Sequence, residues 1–150
     1  MRVTIQRVSE ASVKIKQDIK SHIGKGLVVF LGIGEADVRD DIEWLCKKII
    51  ALRIFSDEHA KMNKSLIDIN GDILLISQFT LFASTRKGNR PSYINSAQPD
   101  IAFPFYVEFH KYLEKLLGKQ IATGKFGADM KVSLCNDGPV TINIDSKKRE

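Results

Sequence analysis

Asn136-Asp137-Gly138-Pro139-Val140-Thr141 is the stretch whose reading decides the fold. It separates two alternating apolar runs, Met130, Val132 and Leu134 before it and Val140, Ile142 and Ile144 after it. Asp-Gly in that setting ordinarily marks a tight hairpin turn between half-buried strands. Pro139 counts against a plain hairpin, because proline has no N–H for a ladder and is largely excluded from strand interiors. A Gly-Pro bond also admits the cis form at small cost, which bends the chain tightly and turns its carbonyls in an unusual direction. Two readings stand for 136–141: a hairpin with an edge-strand proline, or a shaped piece of backbone with a function.

Outward from that stretch, alternation places a strand at residues 1–8, with Val3 and Ile5 on its apolar side, and another at Val13 and Ile15 after a turn at Ser9-Glu10. Gly26-Leu27-Val28-Val29-Phe30-Leu31-Gly32 is a continuous apolar run, expected as a strand covered on both faces. Asp37 is placed to cap a helix whose apolar stripe is Val38, Ile42, Leu45, Cys46 and Ile49. Asn70-Gly71 between Ile67–Ile69 and Ile73–Ile76 gives the clearest hairpin signal in the chain. A second amphipathic helix follows Asp100, with Phe105, Tyr106, Phe109, Leu113, Leu116 and Leu117 on one side and Gly118 as its stop. Short strands near 121–123, 130–135 and 140–144 close the chain. The expected fold is α+β: a barrel-like antiparallel or mixed β core with two main helices packed on one side.

No repeat, linker or low-complexity stretch divides residues 1–150, so a single domain is expected, long enough to bury its own core. Cys46 and Cys135 have no metal or redox spacing and read as buried free thiols of a reducing compartment. No apolar run reaches the length of a membrane span, and the expected location is the cytoplasm. The net charge of +5 is compatible with an RNA partner without requiring one.

Residues able to carry chemistry are few. The second strand of the expected Asn70-Gly71 hairpin runs on into Ser77-Gln78-Phe79-Thr80, with Gln78 and Thr80 on one face and Ser77, Phe79 and Leu81 on the other. Polar side chains there mark either a site at a sheet rim or a strand emerging into solvent. Thr80 is a weak nucleophile without a base beside it. His22, His59 and His110 supply no such base at a recognisable spacing, and no cluster has metal-ligand spacing. A hydrolase built on this chain is expected to use neither metal nor cofactor, and its catalytic groups not to be the usual side chains. Arg7 has the parity of Val3 and Ile5, the apolar side of its strand. Either the strand ends at Gln6 and Arg7 turns outward, or its guanidinium points inward and donates to backbone carbonyls. Residues 84–99 form a long segment without an acid, and their Arg86, Lys87, Arg90 and Tyr93 suit a phosphate backbone and an exposed base.

Ser77-Gln78-Phe79-Thr80-Leu81 and Asn136-Asp137-Gly138-Pro139-Val140-Thr141 resemble the two signature motifs of the D-aminoacyl-tRNA deacylases. Further likeness runs from the opening Met1-Arg2-Val3 through Gln6-Arg7-Val8-Ser9-Glu10-Ala11-Ser12-Val13, and through Leu52-Arg53-Ile54-Phe55, Lys61-Met62-Asn63, Arg90-Pro91-Ser92 and Gly124-Lys125-Phe126-Gly127-Ala128 with Met130, so it covers essentially the whole chain. The resemblance implies a homodimeric hydrolase that cleaves the ester joining a D-amino acid to the terminal ribose of tRNA, a chiral proofreading step of translation without DNA or membrane partners. It further implies a cis Gly138-Pro139 peptide that reaches across the dimer and occupies the space an L side chain would need, with glycyl-tRNA left as a second substrate. Under it, Gln78, Phe79 and Thr80 carry the chemistry, with backbone N–H groups favoured over a Thr80 nucleophile and the ribose 2′-hydroxyl helping the attacking water. Gly138, Pro139, Arg7, Ser77 and Met130 serve substrate binding and the chirality check, and Arg86, Lys87, Arg90 and Tyr93 the tRNA. A related family with a relaxed check has a trans Gly-Pro and lacks this arginine, so Arg7 argues for the strict enzyme. Asn89 and Tyr93 depart from the usual basic residue and phenylalanine, which bears on RNA contacts rather than on the reaction. The rival readings are a non-catalytic RNA-binding module, favoured by the 84–99 loop, and an editing domain selective for an L-amino acid.

Overall fold

The computed structural model describes residues 1–149. Its frame is one mixed sheet. Strand β1 (Arg2–Ile15) is central, flanked on one side by β2 (Asp18–Ile23) and β3 (Gly26–Gly32). Helix α1 (Arg39–Ala51) and the small pair β4 (Phe55–Ser56) and β5 (Met62–Lys64) follow. Strand β6 (Asp72–Ser77) then pairs in parallel with β3, a 3-10 turn covers Phe79–Phe82, and helix α2 (Pro99–Leu117) leads to β7 (Ala122–Thr123), parallel to β6. The last strand, β8 (Met130–Asp145), lies antiparallel along almost the whole free side of β1. The sheet curls into a nearly closed, barrel-like wall with both helices packed on one face, as the sequence pattern predicts.

Two apolar layers explain why these residues choose these elements. Val3, Ile5, Leu27, Val29, Leu31, Ile73 and Leu75 meet Ile42, Leu45, Cys46 and Ile49 of α1 and Tyr106, Phe109 and Leu113 of α2. The opposite face gathers Val8, Ala11, Val13, Ile23, Val28, Leu74 and Ile76 inside the curl. Strands β3 and β6 are therefore covered on both sides, which is why they read as unbroken apolar runs. Each fully buried Ile or Leu contributes about 1.5–3 kcal/mol of transfer free energy. Gly118 ends α2 at φ +68, a conformation that a side chain disfavours.

Several expectations are corrected. The Asn70-Gly71 hairpin does not form: residues 65–71 make a compact turn closed by Gly71 N–H on the Leu66 carbonyl (3.0 Å), with Asn70 at φ +48. Burying Ile73–Ile76 on both faces favours parallel partners on either side over a two-stranded ribbon. Ser9-Glu10 is not a turn either. β1 runs through it with register irregularities at 6–10, and these move the inward-facing set from Val3 and Ile5 to Ala11 and Val13, from one core to the other. Asp37 does not cap α1, because its carboxylate is taken by the Gly34 N–H (2.7 Å). Asp41 instead accepts from Val38 N–H (2.8 Å), and Val38 stands out of the apolar stripe, 52% exposed. Cys135 is exposed, since on β8 it has the parity opposite to Met130, Val132 and Leu134; Cys46 alone is the buried thiol.

Candidate functional site

Residues 136–141 are not a hairpin turn. Both arms of the expected hairpin pair with β1 instead of with each other: Asn136 faces Val8 and Thr141 faces Gln6. Four residues, 137–140, thus stand opposite the single Arg7, and the chain loops out of a strand that then resumes. This outward loop keeps Pro139 off the ladder, which answers the objection that proline raised to a strand there. The Gly138-Pro139 peptide is cis, and both residues are exposed.

Arg7 takes the inward alternative. It is 8% exposed, its Nε donates to the Asp137 carbonyl (3.0 Å) and its Nη1 to the Ile54 carbonyl (2.6 Å). The fork therefore links the loop to the segment after α1, holding the residue before Gly138 rather than Gly138 itself. A Cβ on Gly138 would stand 2.7 Å from Arg7 Nη2, and φ at 138 is +126, so only glycine fits against the guanidinium.

The Ser77–Thr80 motif departs from the expected strand. β6 stops at Ser77 and the chain tightens into the Phe79–Phe82 turn, so the expected alternation of faces does not apply beyond Ser77. At the head of that turn Gln78 N–H donates to the Leu31 carbonyl (2.7 Å) and Leu81 N–H to the Gln78 carbonyl (3.3 Å). The N–H groups of Phe79 and Thr80 have no acceptor among the described residues. Two adjacent free donors at the start of a helical turn are suited to an anionic oxygen. The Gln78 amide donates to the Thr80 hydroxyl, which has no basic side chain hydrogen-bonded to it among the described residues. Arg2, which sequence reasoning missed, braces the turn: its Nη1 donates to the Leu81 carbonyl (3.1 Å), its Nε pairs with Asp145 (2.9 Å), and its guanidinium lies over the Phe82 ring. Although partial burial works against ionisation, the Lys147 N–H and Arg2 hold the Asp145 carboxyl below the usual carboxylate range.

Beside this turn opens a pocket of about 510 Å³ with a mainly apolar wall. Ser77, Gln78, Phe79, Tyr93, Met130, Phe126 and Val132 line it. Tyr106, behind Phe126, donates to the Leu75 carbonyl (3.2 Å), and burial pushes its hydroxyl up to about 12. Phe79 (57% exposed) and Tyr93 meet edge to face at 5.0 Å on the rim. Ser84 and Ser92 exchange backbone hydrogen bonds (2.7 and 2.9 Å), which pinches off a tip, residues 85–91, carrying exposed Arg86, Lys87 and Arg90. Thr80, Arg7, Gly138 and Pro139 do not line the pocket. Within one chain the residues nominated for catalysis, substrate binding and the chirality check form two groups, the pocket with its turn and the arginine-held loop.

No group of His, Cys, Asp and Glu able to hold a metal occurs among the described residues. No helix among them is long and apolar enough to cross a membrane.

Comparison with known proteins identifies the family. A family model described as D-Tyr-tRNA(Tyr) deacylase matches residues 4–145. A D-aminoacyl-tRNA deacylase of Bacteroides thetaiotaomicron is 60% identical over 150 residues, 100% of both chains. One of Flavobacterium johnsoniae is 61% identical over the same full span. A solved structure described as a c-Myc DNA Unwinding Element Binding Protein superposes with a TM-score of 0.92 at 41% identity, covering 97% of this chain and 98% of that one.

Proposed function

The chain belongs to the D-Tyr-tRNA(Tyr) deacylase family, and we propose that residues 1–150 act as one cytoplasmic deacylase domain that cleaves the ester of D-aminoacyl-tRNA and of glycyl-tRNA while sparing L-aminoacyl-tRNA. The observation that carries the reaction route is the pair of unoccupied N–H groups at Phe79 and Thr80, beside an apolar pocket and without an acid–base side chain hydrogen-bonded to Thr80. Water adds to the ester carbonyl carbon, the oxyanion takes the two N–H donors, and the ribose 3′-oxygen leaves with a proton. The ribose 2′-hydroxyl helps to activate that water, so the enzyme selects RNA over DNA at the reacting nucleotide. Such preorganised donors contribute about 3–4 kcal/mol each to comparable reactions, and an activated aminoacyl ester asks for less than a peptide bond does.

The division of the nominated residues into two groups supports a homodimer. Gly138-Pro139, projecting and held from beneath by Arg7, is available to enter the pocket of a second copy, where its carbonyls would fill the volume an L side chain needs. Exposed Phe79, Ile94 and Phe103 are apolar surface that a second copy would cover. Ser77 and Met130 line the cavity for the aminoacyl group, and Tyr93 with the cationic tip at Arg86, Lys87 and Arg90 meets the tRNA end.

Purified protein incubated separately with D-tyrosyl-tRNA, L-tyrosyl-tRNA and glycyl-tRNA tests the reading. Cleavage of the first and third with the second intact is expected. Binding without cleavage would establish the RNA-binding alternative, and L-selective cleavage the editing alternative. A DNA duplex in a parallel binding arm separates RNA from DNA recognition.

A further inference from the structure

Polar side chains hold the outward loop at two points, while Val140 also packs against the main core. Among the described residues the side-chain polar contacts to 137–140 are Arg7 on Asp137 and Asn136 on Val140. Asn136 Oδ1 accepts the Val140 N–H (3.1 Å), while its Nδ2 donates to Thr141 Oγ1 (3.0 Å), which also accepts from Gln6 Nε2 (3.2 Å). Both ends of one amide are therefore used across the neck of the loop, from the last residue before it to its final residue and to the residue where pairing with β1 resumes. The far end is anchored by Val140 packing on the main core and by Thr141 pairing with Gln6, and the Asn136 amide ties that end back to the start of the loop.

We propose that Asn136 is a positioning residue for the proposed chirality check. By closing the neck of the 137–140 loop it sets the direction in which Gly138 and Pro139 are presented. This rests on the functional reading above, so its test includes a measurement independent of catalysis. Asn136→Ala removes both contacts. Asn136→Asp keeps the acceptor for Val140 N–H, and the Thr141 hydroxyl can turn its free proton toward the second carboxylate oxygen. Each variant, checked for folding by thermal melting, is followed by deacylation of D- and L-tyrosyl-tRNA and by amide exchange at Val140.

In Asn136→Ala we expect kcat/KM on the D ester and the D/L ratio to fall by about tenfold or more, with Val140 exchange faster by a similar factor. Asn136→Asp should return both to within about threefold of wild type. Wild-type exchange and wild-type selectivity in Asn136→Ala would overturn the proposal. An aspartate variant no better than alanine would overturn it as well, since that marks a merely structural site. Should the wild type cleave no D ester, the functional reading fails, and Val140 exchange alone then decides whether Asn136 closes the loop.

Discussion

Replacing Arg7 by alanine separates the loop from the body of the protein. The Nη1 bond to the Ile54 carbonyl lies in a buried setting where water cannot readily replace it, and a hydrogen bond from a charged donor there is worth about 1.5–3 kcal/mol. The Nε bond to the Asp137 carbonyl sits under an exposed loop, where water substitutes in part, and is worth about 1 kcal/mol. The accompanying contact with the Asp137 carboxylate, itself 49% exposed, is screened and adds little. Arg7→Ala should therefore lower stability by about 3 kcal/mol and, under conditions where it is still folded, reduce kcat/KM on D-tyrosyl-tRNA by about tenfold or more with a loss of D/L selectivity. Arg7→Lys should recover less than half of either, because one ammonium cannot span two carbonyls set for a planar fork. Urea denaturation followed by paired D and L deacylation assays measures both quantities. Stability within about 0.5 kcal/mol of wild type together with an unchanged D/L ratio would refute the reasoning, since a buried fork cannot be removed at so small a cost.

Thr80→Ala should retain substantial deacylation, losing about tenfold through a looser turn, whereas a terminal 2′-deoxyribose should cost far more; an acyl group trapped on Thr80 in the wild type would restore the nucleophile. Gly138→Ala should cost about 1–3 kcal/mol, because the new Cβ meets Arg7 Nη2 at 2.7 Å on a backbone of φ +126, and a chemical melt indistinguishable from wild type would contradict that contact. Burial of Asp41 and partial burial of Asp145 disfavour their charged forms, yet their hydrogen bonds, to Lys147 and the Val38 N–H and to the Lys147 N–H and Arg2, hold both carboxyls below the usual range. Their contribution to stability is present above the unfolded-state value near 3.8 and is lost as pH falls through the folded-state values, so urea melts should weaken below about pH 4. Asp145→Asn should flatten that acid limb, and an unchanged slope would show that the Arg2 pair does not contribute to it.

Much of the site was legible in the chain because its signals are local. Helix α2 and its Gly118 stop follow from spacing and one glycine, and the unbroken run Gly26–Gly32 announces a strand buried on both faces. Arg7 could be singled out by parity, an arginine on an apolar face. The errors arose where partner choice decided the outcome. Asn70-Gly71 carries a strong hairpin signal, yet the partners of β6 are β3 and β7, brought alongside by the packing of both helices on one face. Arg2 escaped notice because its value lies in reaching Leu81 and Asp145, far away in sequence.

Residue types and their order determined by themselves which segments are apolar, where helices stop, that a proline interrupts the alternation at 136–141, and that few side chains suit acid–base chemistry. Tertiary structure alone decided that both arms around 136–141 pair with the one long strand β1, which turns an expected hairpin turn into an outward loop. It also decided that the Phe79 and Thr80 N–H groups stay free beside the pocket and that Arg7 reaches Asp137 and Ile54 together. The physical reason is that alternation and turn propensity specify a face and a bend, whereas a hydrogen-bonding partner is chosen by long-range burial.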